Sequence, residues 1–216
     1  MVKTFRFDNI PDELCSNSYV VGEKGGPFLL IDIGSDSSRI IDYIKENHTT
    51  CLGVLLTHGH FDHFKGLKKF LEQYNATVFI DENDLKLLSD TRLNCSKMCG
   101  ENVIIDLDNI YLLSDEDEIN FINKYYVKVI ATPFHTDGSV CFLIKNENAL
   151  FTGDTLFKGS IGRSDLPTGK SRLISQSLKK LKTLDENLNI YPGHGEITTL
   201  KNELNNNYYL KESGND

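Results

Sequence analysis

Long apolar runs are missing from this 216-residue chain. No segment approaches the roughly 18 consecutive apolar residues of a membrane span, and the N-terminal MVKTFRFDNIPDEL has no apolar signal region. A cytoplasmic protein with no membrane partner is the expectation. Paired CxxC motifs are missing too: the five cysteines, at 15, 51, 95, 99 and 141, are odd in number and build no disulfide framework. Reduced thiols are expected, with Cys141 in a strand core and Cys95 and Cys99 (CSKMCG) lacking the further thiols of a metal site. Positive charge is short, 23 Lys and Arg against 31 Asp and Glu, for a net charge of −8. Such an acidic chain argues against a nucleic-acid partner, which wants a basic surface. There is no solenoid repeat and no linker rich in Pro, Gly or Ser, so residues 1–216 read as a single domain.

What is present is ordinary globular material, 39% hydrophobic and 25% charged, in a chain long enough to bury a core. Runs rich in Val, Ile, Leu and aromatics that end in turn residues predict strands at 16–22, 27–34, 51–57, 77–80, 125–132, 139–145 and 149–153. Helices are predicted at 36–47, 64–74, 83–89, 171–184 and 198–206, the fourth with Leu173, Ile174, Leu178, Leu181 and Leu184 on one face. Strands outnumber helices, which favours layered sheets with helices packed outside. The tail NNNYYLKESGND reads as a frayed end.

Half of the six histidines fall in one stretch, LLTHGHFDHFKG at 55–66. His58 and His60 follow a buried strand, and residues two apart in an extended segment point the same way, so both can grip one ion. Asp62 and His63 begin the turn into the next helix and face another point, which suits two adjacent ions rather than one. His135 (ATPFHTDGS), His194 (NIYPGHGE) and Asp154 (LFTGDTLF) also follow strand-like runs. His48, in KENHTT at a polar helix end, reads as a solvated residue outside this pattern.

HGHFDH, TPFHTDGS, FTGDTLF and YPGHGE, in this order from about residue 15 to residue 200, resemble the metallo-β-lactamase superfamily of hydrolases. Within it, LFTGDTLFKGSIGRSDLPTG is most similar to the short glyoxalase II-like branch, the hydroxyacylglutathione hydrolases and their relatives. The resemblance implies an α/β fold, an αββα sandwich of two mixed sheets flanked by helices. It implies that His58, His60 and His135 hold a first metal, that Asp62, His63 and His194 hold a second, and that Asp154 bridges both, with Asp62 and Asp154 as the catalytic carboxylates. Where some β-lactamases have a cysteine ligand this chain has Asp154, which weakens that substrate assignment.

Imidazoles and carboxylates suit Zn²⁺, the expected metal, and also Fe²⁺ or Mn²⁺. Two such ions about 3.5–4 Å apart share a water and bring its pKa toward neutrality, so the expected reaction is attack of a bridging hydroxide on a carbonyl. A thioester needs no dedicated acid, because its thiol has a pKa of about 8.5 and leaves as thiolate. Two dications less Asp62, Asp154 and hydroxide leave about +1, which attracts anionic acyl-thioesters. Lys158, Arg163 and Lys170, and Lys65 beside the cluster, are candidates to extend that field. Arg163, in GSIGRSDLP, is the best of them, with pairing to Asp165 as its alternative role.

The function expected from the resemblance is therefore hydrolysis of a small acyl-thioester, as in S-D-lactoylglutathione to D-lactate and glutathione. A persulfide dioxygenase-like oxidoreductase with a single iron, which shares much of this motif set, is the alternative. Two departures stand out. Phe134 precedes the histidine where many relatives have a smaller residue, so a different pocket mouth is expected. One short helix after His194 is expected in place of the extra helical domain of full-length glyoxalase II.

Overall fold

The computed structural model describes residues 1–5, 16–34 and 37–213, which divide into two compact units. Cys15 lies outside the described residues. The first unit, residues 1–80 and 85–112, is built on a six-stranded sheet in sequence order. Its strands are β1 Val2–Phe5, β2 Ser18–Gly22, β3 Phe28–Ile31, β4 Cys51–Leu55, β5 Val78–Asp81 and β6 Ile110–Leu113. The β1–β2 and β2–β3 pairs are antiparallel, whereas β3–β4 and β4–β5 are parallel. Every residue of β3 is buried, as expected of a parallel strand covered on both faces.

Parallel pairing requires a crossover, here helix α1, Ser38–Asn47, which buries Ile40, Ile41 and Ile44. Beyond α1, His48 is not the solvated residue expected: its ring lies 5.5 Å from that of Phe28 and 5.6 Å from that of Tyr43. Burial there lowers its pKa.

The helix expected at 64–74 starts earlier and is broken, into α2 Phe61–Phe64 and α3 Leu67–Leu71. A continuous helix would bond the Gly66 N–H to the Asp62 carbonyl. Instead Gly66 N–H donates to Ile33 O (3.0 Å), and Asp62 O accepts the Ser16 hydroxyl (2.5 Å). The end of β3 thereby takes the place of one helical hydrogen bond and fixes where the first turn sits.

The second unit, residues 81–84 and 113–216, contains a sheet in the order β14-β13-β10-β9-β8-β7. Its strands are β7 Glu118–Phe121, β8 Tyr125–Ala131, β9 Val140–Ile144, β10 Ala149–Gly153, β13 Asn189–Pro192 and β14 Thr198–Thr199, with a separate hairpin of β11 Leu156–Phe157 and β12 Ser160–Ile161. Only the β10–β13 pair is parallel, and helix α4, Ile174–Lys182, makes the crossover after a 3₁₀ turn at Ser171–Leu173. Leu178 and Leu181 are fully buried against Ile130, Leu150 and Ile190, with Ile174 and Leu184 packed at the margin. Burial of that size stabilises by about 1.5–3 kcal/mol per leucine. Cys141 lies in the same core, as expected.

Two expectations are corrected here. Two short helices follow His194, α5 Leu200–Asn206 and α6 Tyr208–Glu212. The tail is docked rather than frayed through Ser213, because Leu210 joins the core and the Lys182 amine donates to its carbonyl (3.0 Å). Among the described residues, no helix is long and apolar enough to cross a membrane.

Candidate metal centre

The metal-ligand candidates follow the carboxyl ends of strands: β4 in the first unit, and β8, β10 and β13 in the second, of which only β10 and β13 pair in parallel. In the first unit β3 runs into Asp32 and β4 into Thr57 and His58, and the Asp32 N–H donates to Leu55 O (3.0 Å). Asp32 is buried and adopts a left-handed backbone (φ 51°). Its Oδ1 accepts the Thr57 N–H (2.8 Å), and its Oδ2 accepts the Thr57 hydroxyl (2.8 Å) and faces His63 Nδ1 (2.8 Å).

These contacts assign protons. A carboxylate only accepts, so His63 carries its proton on Nδ1 and presents a lone pair at Nε2, 3.6 Å from Asp62 Oδ2. The Thr57 hydroxyl has spent its proton on Asp32 and can only accept from His58 Nδ1 (3.2 Å), which leaves the His58 lone pair on Nε2. That nitrogen lies 3.1 Å from His60 Nδ1. The His58 ring centroid is 4.8 Å from that of His60 and 4.1 Å from that of His63. Within this unit His58 therefore neighbours both the His60 and the His63 donors.

In the second unit the register Gly153↔Pro192 sets Asp154 beside the turn that carries His194. The Gly193 N–H donates to Gly153 O (2.8 Å), and Gly153 itself has φ 46°. One Asp154 oxygen, Oδ2, lies 3.3 Å from His135 Nε2 and 3.6 Å from His194 Nε2. His135 Nδ1 is 2.7 Å from the Arg163 carbonyl, an acceptor, so its proton sits there and Nε2 offers a lone pair toward Asp154. A lone pair aimed at a carboxylate is repulsive unless a cation is shared between them. Ligands around a tetrahedral ion with bonds of about 2.0–2.1 Å stand about 3.3 Å apart. The separations of 3.1–3.6 Å within each unit match that spacing, so both donor sets fit a divalent metal.

The cationic candidates are committed elsewhere. Arg163 makes two hydrogen bonds to Asp165 (2.7 Å each), and these hold the Asp165 carboxyl down to about 2. Lys158 pairs with Glu196, Lys170 with Asp137, and Lys65 with Glu101. Phe134 is fully buried in the interior, not at a pocket mouth. Burial pushes the Cys51 thiol up to about 12 and Cys141 to about 11. The exposed Cys99 is also raised, by desolvation first and then by Asp62 and Glu101.

Sequence reasoning passed over Asp32 and the residues that brace the TDG turn. Buried Asp84 accepts the Thr136 hydroxyl (2.6 Å) and the Gly138 N–H (2.8 Å). A Cβ at Gly138 would crowd the Asp84 backbone nitrogen and side chain, all within 2.8 Å. The signal for Asp32 was an acid directly after the all-apolar FLLI.

The model of the metallo-beta-lactamase superfamily matches residues 12–194, and the chain belongs to that superfamily. The chain is 34% identical over 183 residues to a protein described as a probable metallo-hydrolase, YqgX of Bacillus subtilis, covering 84% of this chain and 86% of that one. It is 31% identical over 183 residues to the hydroxyacylglutathione hydrolase GloC of Haemophilus influenzae, again covering 84% and 86%. The crystal structure of the BLEG-1 B3 metallo-beta-lactamase superposes with a TM-score of 0.89 at 30% identity, covering 97% of this chain and 99% of that one. The chain thus has the metallo-β-lactamase fold, of the α/β class, and is a metal-dependent hydrolase by family.

Proposed function

We propose that the chain is a binuclear metallohydrolase that cleaves a small, anionic acyl-thioester, in the manner of the hydroxyacylglutathione hydrolases. The observation that carries this reading is the donor set: nitrogen and carboxylate ligands alone, with the His63 and His135 lone pairs turned toward Asp62 and Asp154. In this proposal His58, His60 and His135 hold one ion, Asp62, His63 and His194 hold the other, and Asp154 serves both. Zinc is the metal proposed. When bound, the ion pair supplies a Lewis acid for the carbonyl oxygen and an acidified water at neutral pH.

The chain's own groups do the positioning. Asp32 keeps the His63 proton on Nδ1, and the Arg163 carbonyl does the same for His135, so neither ring turns away from its task. No protein acid is assigned to the leaving group, since a thiol with a pKa of about 8.5 departs as thiolate. Similarity to GloC supports the thioester. Lys158, Arg163 and Lys170 already face carboxylates, so the proposal assigns substrate attraction chiefly to the metal charge.

Elemental analysis coupled to a substrate panel tests this. Two metals per chain and thiol release from S-D-lactoylglutathione support it. One iron with oxygen uptake on glutathione persulfide would replace it with the dioxygenase reading, and turnover of a β-lactam alone would replace the substrate class.

A further inference from the structure

Glu203 in α5 is a fully buried carboxylate outside the metal centre. Burying such a charge is costly unless its oxygens are satisfied. Here Oε1 accepts from the Thr198 hydroxyl (2.8 Å) and Asn202 Nδ2 (2.7 Å), while Oε2 accepts from the Gly159 N–H (2.7 Å) and Asn207 Nδ2 (3.0 Å). Asn207, equally buried, also donates to Ser160 O (3.0 Å). Lys158 and Gly159 are the turn of the β11–β12 hairpin and Ser160 opens β12; Gly159 has φ 73°, a conformation that favours glycine.

That hairpin and the two residues that follow it, Gly162 and Arg163, meet all three metal-ligand candidates of their unit. Its incoming arm sets the Phe157 ring edge-on to His194, centroids 6.1 Å apart. Past its outgoing arm, Gly162 lies so close to the Asp154 carbonyl that a Cβ would collide with it, and the Arg163 carbonyl faces His135 Nδ1. We propose that Glu203 is a positioning residue, which through the Gly159 turn holds the hairpin against His135, Asp154 and His194 and so presets their geometry for metal. Four donors on two oxygens explain why the position is charged: a glutamine would offer one oxygen and turn an amide toward donors.

The inference rests on the metal-centre reading, and the test separates the two. Glu203→Gln, Gly159→Ala and Lys201→Ala are purified, loaded with Zn²⁺, and titrated with a chromophoric chelator, and the melting of each metal-free form is recorded. The first two are expected to lose about 10- to 100-fold in zinc affinity, the range for outer-shell partners, while remaining folded. Lys201→Ala, on the same helix but paired at the surface with Glu186, should bind as wild type. Wild-type zinc affinity in folded Glu203→Gln, even with lowered melting, overturns the positioning role. If that variant does not fold, unchanged affinity in Gly159→Ala overturns it instead. Absence of zinc binding by the wild type would overturn the metal-centre reading, and this inference with it.

Discussion

Asp32 Oδ2 sits 2.8 Å from His63 Nδ1, with the Thr57 N–H and hydroxyl filling the rest of the carboxylate. The contact makes His63 a lone-pair donor at Nε2 and fixes the orientation of its ring. Asp32→Asn keeps one oxygen for Thr57 but turns an amide toward His63 or Thr57. Zinc affinity is expected to fall by about 10- to 100-fold with the fold retained. Chelator competition alongside far-UV circular dichroism checks this, and an unchanged affinity would remove Asp32 from the site.

Asp154 presents one oxygen to both His135 and His194. If it serves two ions, Asp154→Asn should lower metal content from two per chain to one or none, whereas a ligand of one ion alone, His60→Ala, should spare the other. Elemental analysis of the two variants distinguishes a shared carboxylate from an ordinary ligand.

The candidate ligand cluster stood out because metal chemistry needs unusual residues at fixed offsets, and buried strands such as FLLI announce themselves by unbroken apolar runs. What escaped notice depends on tertiary contacts. Strands β6 and β7 each bury a single residue, Leu113 and Phe121, so their sequences carry little pattern. The break after α2 is imposed by Ile33 and Ser16, remote in sequence from Gly66. Docking of α6 hangs on Leu210, one apolar residue in a polar tail. Asp32 is marked in sequence only by following the apolar run FLLI, and Glu203 looks like any surface acid until its partners are known.

Arg163 serves the centre through its carbonyl and spends its side chain on Asp165. Truncation to alanine keeps the carbonyl, and exposed ion pairs contribute only about 0–1 kcal/mol. Arg163→Ala should therefore retain full metal content and near-native melting. A rise in KM at constant kcat would show that the guanidinium also meets the substrate, and a loss of metal would show that the pair to Asp165 is needed to hold the loop.

Thiol chemistry should single out Cys99. Cys51 and Cys141 have pKa values pushed up to about 12 and 11 by burial, and Cys95 is buried, while Cys99 is exposed. Since the thiolate is the nucleophile, alkylation of the native protein at pH 8 followed by peptide mass spectrometry should label Cys99 ahead of these three. Cys99→Ser should leave metal content unchanged. Loss of metal in that variant would bring the CSKMCG stretch into the centre after all.

Glu203 also makes a pH-dependent contribution to stability. Burial alone would raise its pKa, but the hydrogen bonds from Gly159, Asn207, Thr198 and Asn202 outweigh it, and the folded value lies below the ordinary 4.5. A carboxyl with a depressed folded pKa stabilises the fold fully above its unfolded pKa and loses that contribution as pH falls through the folded value. Glu203→Gln never ionises. The stability gap between wild type and Glu203→Gln, read by urea denaturation of the metal-free proteins, should hold steady from pH 7 down to about pH 5 and narrow below about pH 4.5. A gap constant to pH 3 would mean that the variant's cost is packing alone and that the buried group is not ionised in the folded protein.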